Sequence, residues 1–101
     1  MRYETINQVL GENQMTVLAQ TDGLDVNEVP DGYVVYQPVQ DRVHYLNTTA
    51  AVIFEYCDGL QSADEIVVQV AAAFELPVDR QDEIRACLDN LVKEGLVAPR
   101  T

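Results

Sequence analysis

The periodicity of the chain changes at Asn47, within Arg42 to Gly59, RVHYLNTTAAVIFEYCDG, and that change limits the fold more than any other feature. Arg42 to Leu46 alternates branched and aromatic residues over the length of a strand. From Asn47 onward Ala50, Ile53, Phe54 and Cys57 recur at i, i+3, i+4 and i+7, which places four small or apolar side chains on one face of a helix. Asn47 suits the N-cap, because its side-chain oxygen can accept an orphan amide of the first turn, and Gly59 suits the stop. The sequence before this stretch reads as strand and the sequence after it as helix.

Upstream, Leu24 to Val29 alternates like a strand, and Pro30-Asp31-Gly32 carries hairpin-turn chemistry. Tyr33 to Gln37 is rich in β-formers, and Pro38 to Asp41 is a polar connection back into Val43 to Leu46. A three-stranded antiparallel meander is expected, with its last strand at an edge. Downstream, Ser62-Ala63-Asp64-Glu65 fits a capping box and opens a helix whose expected buried face is Ile66, Val67, Val70, Ala73 and Phe74. A third helix begins near Asp79 and sets Ile84, Cys87, Leu88 and Leu91 on one face. Gly95 and Leu96 are placed to close it in a Schellman ending, and Leu96 to Ala98 forms a short closing segment.

The predicted fold is α+β and winged-helix-like, a three-stranded antiparallel sheet followed by three α-helices. Residues 1–20 are expected as a partly flexible N-terminal arm, in which Ile6, Val9 and Leu10 form a marginal helix and the run from Met15 leads extended into the domain. Residues 21–101 make that domain. A chain of 101 residues can bury one modest core, and 48% hydrophobic against 23% charged residues is ordinary for a globular chain.

Seventeen acidic residues against six basic ones give a net charge of −11. Such a surface repels nucleic acid and anionic membrane and attracts basic partners. The third helix, which would hold the recognition position of a winged helix, sets Arg80, Arg85 and Lys93 against Asp79, Asp82, Glu83, Asp89 and Glu94, so phosphate contacts fail there too. No run is long enough to cross a bilayer, and the polar N-terminus does not read as a signal peptide, so a cytoplasmic protein is expected. Cys57 and Cys87 lie on apolar stripes rather than in a CxxC pair and read as reduced core thiols, without metal or cofactor. His44 is the only histidine and has no nucleophile beside it, so no catalytic residue is assigned and the chain is expected not to be an enzyme.

The order and spacing of Leu46-Asn47, Ala50, Cys57-Asp58-Gly59, Ser62, Glu65-Ile66, Leu91 and Gly95-Leu96 resemble the PqqD family, the small peptide chaperones also called RiPP recognition elements. The resemblance covers roughly Met15 to Ala98. It implies a non-catalytic module that binds the leader of a ribosomally made precursor peptide and presents it to a maturation enzyme, such as a radical SAM enzyme, a protease or a cyclase. In the family the leader adds to the third strand of the sheet beside the third helix. Carried over, that edge is Val43, His44, Tyr45 and Leu46, and the groove wall draws on Arg80, Ile84, Cys87 and Leu88.

An open edge supplies main-chain affinity on physical grounds alone, while Asp82 and Glu83 would favour a leader bearing Lys or Arg. Which face of the edge strand points outward is not fixed by sequence, since a slip of one residue exchanges the two sets. The unpaired edge also allows a homodimer by strand exchange. The competing readings are an acidic interaction module that binds no leader and a winged-helix transcription regulator. Only the regulator requires salt-sensitive binding to duplex DNA; none is expected at low ionic strength, and a gel-shift titration checks this.

Overall fold

The computed structural model describes residues 16–100. Expectations for the helical turn around Ile6, Val9 and Leu10 lie outside them. Six strands and three α-helices alternate along the described chain: β1 (Val17–Gln20), β2 (Asp25–Val29), β3 (Gly32–Gln37), β4 (Arg42–Asn47), α1 (Thr48–Tyr56), β5 (Asp58–Gln61), α2 (Ala63–Ala73), α3 (Gln81–Lys93) and β6 (Val97–Arg100). Short 3-10 turns at Pro38–Gln40 and Val78–Arg80 precede β4 and α3.

The expected meander is present. Strands β2, β3 and β4 form an antiparallel sheet in that order, with Val29 opposite Gly32 across a two-residue turn and Gly32 to Gln37 opposite Asn47 to Arg42 without a break. Gly32, at φ +150°, has to be glycine, because a Cβ there would collide with the carbonyl oxygen of Leu46.

The layout of one sheet followed by helices does not describe the rest. A second antiparallel sheet in the order β5-β1-β6 joins segments from the start, middle and end of the described chain. Val17 to Gln20, assigned by sequence to the end of the arm, form its central strand, opposite Arg100 to Val97 on one side. On the other side Leu18 pairs with Gln61 and Ala19 with Asp58, so Gly59 and Leu60 bulge out of the ladder. Gly59 accordingly has φ +84°, and Leu60 is thrown into solvent. The positive-φ glycine belongs to this bulge and not to the helix end, since α1 stops at Tyr56 with Cys57 as its C-cap.

Helix ends follow their local chemistry. Asn47 accepts a 2.9 Å bond from the Ala50 amide at the start of α1. Ser62 and Glu65 form the reciprocal capping box of α2, at 3.2 Å and 2.8 Å. At the end of α3, Leu96 N–H donates to Leu91 and Gly95 N–H to Val92, both at 3.0 Å, with Gly95 at φ +81°, which is the Schellman pattern.

The core lies between the helices and the two sheets and centres on Ile53, Phe54, Ile66, Val70, Ile84, Leu88 and Leu96. One expected face is corrected: α2 buries Ile66, Val67, Val70 and Ala71, while Ala73 and Phe74 are exposed, because α2 ends at Ala73 and the chain turns away through Glu75 at φ +55°. Phe54 has no exposed surface, and Tyr33 meets it edge-on at 6.3 Å, so this ring joins α1 to the meander. Phe54→Ala is expected to lower stability by about 3–5 kcal/mol in denaturant unfolding, the usual cost of emptying a buried ring site.

Candidate functional site

Each sheet has two outer strands, and their sequences make them unequal as docking edges. β6 carries Pro99, which has no amide hydrogen, and β5 is broken by its bulge. β2 presents Asp25 and Glu28 within five residues. β4 is a six-residue edge with an uninterrupted register, no proline, no acidic residue and a single arginine, Arg42. Among the described residues nothing pairs with it on the side away from β3.

The main-chain polarity of that edge follows from two features. Val29 and Gly32 close a two-residue hairpin, so the hydrogen-bonding groups of Gly32 face β2 and those of Tyr33 face β4. The Leu46 carbonyl points directly across at Gly32, in agreement. Because these directions alternate along an antiparallel strand, Arg42, His44 and Leu46 bond to β3, whereas the N–H and C=O groups of Val43 and Tyr45 are directed away from the sheet.

The structure also separates the two faces that sequence left open. Val43 and Tyr45 are 66% and 56% exposed, on the face away from the core. Leu46 is buried and His44 half-buried, on the core side. The Tyr45 hydroxyl donates to the Asp31 carbonyl at 3.1 Å. Partial desolvation, with Asp31 beside it, raises the Tyr45 phenol above its ordinary value.

His44 Nε2 lies 3.0 Å from Gln37 Oε1, and Gln37 Nε2 donates to the Glu94 carbonyl at 3.3 Å. Gln37, which the sequence reading did not single out, is therefore a buried link between the edge strand and the C-terminus of α3. Its position on a strand of apolar residues, at a site where alternation demands burial, was the available signal. Arg42 reinforces the link through an ion pair with Glu94 at 3.1 Å.

The expected groove wall on α3 is only partly at the surface. Ile84 and Leu88 are each 1% exposed, because they occupy the centre of the apolar stripe that faces the core, so the wall they were expected to form is interior. Cys87 sits at the margin of that stripe and is half-buried. Arg80 is exposed and forms a two-pronged bond to Glu83, both contacts at 3.0 Å. The hydrogen bond and charge of Arg80 hold the Glu83 carboxyl below the ordinary range. Asp82, exposed beside this pair, is in no ion pair among the described residues.

The family model described as coenzyme PQQ synthesis protein D (PqqD) matches residues 32–97. The chain belongs to the PqqD family. The match runs from the first residue of β3 to the first of β6 and so includes β4, all three helices and β5, but not β1 or β2. No curated protein and no solved structure matches the chain. Members of the PqqD family are non-catalytic accessory proteins, and membership implies a role in ribosomally derived natural-product biosynthesis that involves a precursor peptide and a modifying enzyme. No helix among the described residues is long and apolar enough to cross a membrane.

Neither thiol is disposed for chemistry. Both cysteines are free. Cys57 is wholly buried, its sulfur 3.3 Å from the Ile53 carbonyl, and burial first, then the charge of Asp58, pushes the thiol up to about 12. Burial also raises Cys87. The fold holds Cys57 protonated, so its contribution to stability is complete below the ordinary thiol value of about 8.5 and is lost as pH rises from there through about 12. Stability of the wild-type chain should therefore fall more steeply between about pH 9 and 11 than that of Cys57→Ala, in urea titrations at each pH. Native alkylation at about pH 8 should reach Cys87 before Cys57 by peptide mass mapping.

Proposed function

We propose that the chain is a non-catalytic chaperone that captures the leader of a ribosomally synthesised precursor peptide by strand addition to β4 and presents it to a maturation enzyme. The observation that carries this reading is the regular edge of β4, unpaired among the described residues, with the N–H and C=O groups of Val43 and Tyr45 turned outward. An extended peptide completes such a ladder with any sequence, and alternate side chains then choose among sequences.

Residues of the leader that sit opposite Val43 and Tyr45 share their face and pack against two large exposed side chains, which favours aromatic or β-branched partners. Residues between them point to the core side, toward His44, which is linked through Gln37 to the C-terminus of α3 at Glu94. Asp82 adds attraction for a basic leader, while Glu83 contributes less because Arg80 already balances it. The paired length is short, since Asp41 turns the chain at one end with φ 52° and Asn47 enters α1 at the other.

Proline scanning tests the mode, because neighbouring positions on β4 have opposite consequences. Val43→Pro removes a donor directed at the incoming strand, and His44→Pro removes one that bonds to β3. Against a labelled candidate leader, taken from a short precursor-like peptide sought in the same genomic neighbourhood, Val43→Pro should weaken binding about tenfold relative to Val43→Ala, roughly one ladder hydrogen bond, with little change in stability. His44→Pro should instead lower the midpoint of unfolding. Unchanged affinity in a folded Val43→Pro protein rejects strand addition at β4.

A further inference from the structure

A second surface is built where the β2–β3 turn meets α1. A cleft of about 270 Å³ opens there, with Val29, Pro30, Ala51 and Val52 along its walls and the carboxylates of Glu28 and Glu55 at its rim. The register places Glu28 beside Tyr33, on the same face of the meander. The Tyr33 hydroxyl donates to Glu55 Oε2 at 2.7 Å, and the charge of Glu28 acts on the same phenol. The hydrogen bond from Tyr33 to Glu55, followed by burial and the charges of Glu55 and Glu28, raises the phenol above its ordinary value.

What the cleft lacks is a cation. No Lys or Arg lines it. Among the described residues neither Glu28 nor Glu55 is in an ion pair, while Arg42, Arg80 and Arg85 are held elsewhere by Glu94, Glu83 and Asp64. Apolar walls below two unbalanced carboxylates match a side chain with a long aliphatic stem and a cationic end, and no neutral or acidic side chain satisfies both parts. Arginine fits better than lysine, because a planar guanidinium can bond to more than one carboxylate oxygen at once.

We propose that this cleft is a second docking site, receiving an arginine from a segment of a partner protein, with the alkyl stem along Val29, Pro30, Ala51 and Val52 and the guanidinium at Glu28 and Glu55. None of the lining residues belongs to β4. The cleft and the vacant edge can therefore be filled at the same time, and the cleft site stands whether or not a leader adds to β4.

The test is an NMR titration of the ¹⁵N-labelled full chain with a capped alanine-rich helical peptide that carries arginine and leucine four residues apart, with arginine-to-glutamate replacement as control. A helical probe is used because it cannot add as a strand. Amides of residues 28–33 and 51–56 should move, those of residues 43–45 should not, and the control peptide should do nothing. The double variant Glu28→Gln/Glu55→Gln, both at exposed positions, should raise the dissociation constant about five- to tenfold. Val43→Pro should leave it unchanged, which separates this site from the leader edge. Shifts spread over the acidic surface and retained in the double variant, or no shifts at all, overturn the proposal. So do cleft shifts that track protein concentration without peptide, which assign the surface to a second copy of the chain.

Discussion

Asn47 is at once the last residue of β4 and the N-cap of α1, and this double duty governs the molecule. A strand that passes into a helix without a loop has no spare chain to fold back along its open side. The helix is delivered at once onto the core face, where Ile53 and Phe54 fill the interior and Phe54 meets Tyr33 of β3. Among the described residues the edge of β4 has no partner, because the residues that follow it are committed to the core. Val43 and Tyr45 keep their main-chain groups outward for the same reason that Leu46 is buried: the register that places Leu46 opposite Tyr33 sets both.

The meander, the three helices and their caps were legible because each rests on local chemistry. Asn47, the Ser62–Glu65 box and the Gly95–Leu96 ending lie within a few residues of the groups they satisfy. The second sheet was not legible because nothing local specifies it. Its strands are four residues each, too short for a periodic signal, and β1 meets β6 from about eighty positions away in the chain. Asp58-Gly59 carries the composition of a turn and forms one, but the turn is a bulge inside a strand. The outer strand β6 even tolerates Pro99, which on sequence argues against a strand.

The candidate site divides along the same line. That β4 is an edge follows from the order of elements, but which of its residues point outward depends on register across the sheet, set by the hairpin at Pro30-Asp31 and by Gly32. On α3, helical spacing gathers Ile84, Cys87 and Leu88 onto one stripe without separating its centre from its margin. Burial does so: the centre is core, and only Cys87 remains half-open. Gln37 escaped notice because a single polar residue on an apolar strand has no local meaning. Its role appears only when the C-terminal carbonyl of α3 arrives from fifty-seven residues away.

A regular vacant edge is also a liability, since two copies of β4 could pair with each other as readily as either could pair with a peptide. The other outer strands avoid this with a bulge, a proline or acidic side chains, and β4 does none of these. The charge of the whole chain supplies the missing protection. With −11 on each copy, two molecules repel over a screening length of roughly 8–10 Å at moderate salt, comparable to the spacing of two sheets about to join. A short basic peptide meets the opposite field. The same acidity that disfavours contact with nucleic acid would therefore keep such a strand available to a basic peptide, without placing a charge that would block the ladder on Val43 or Tyr45.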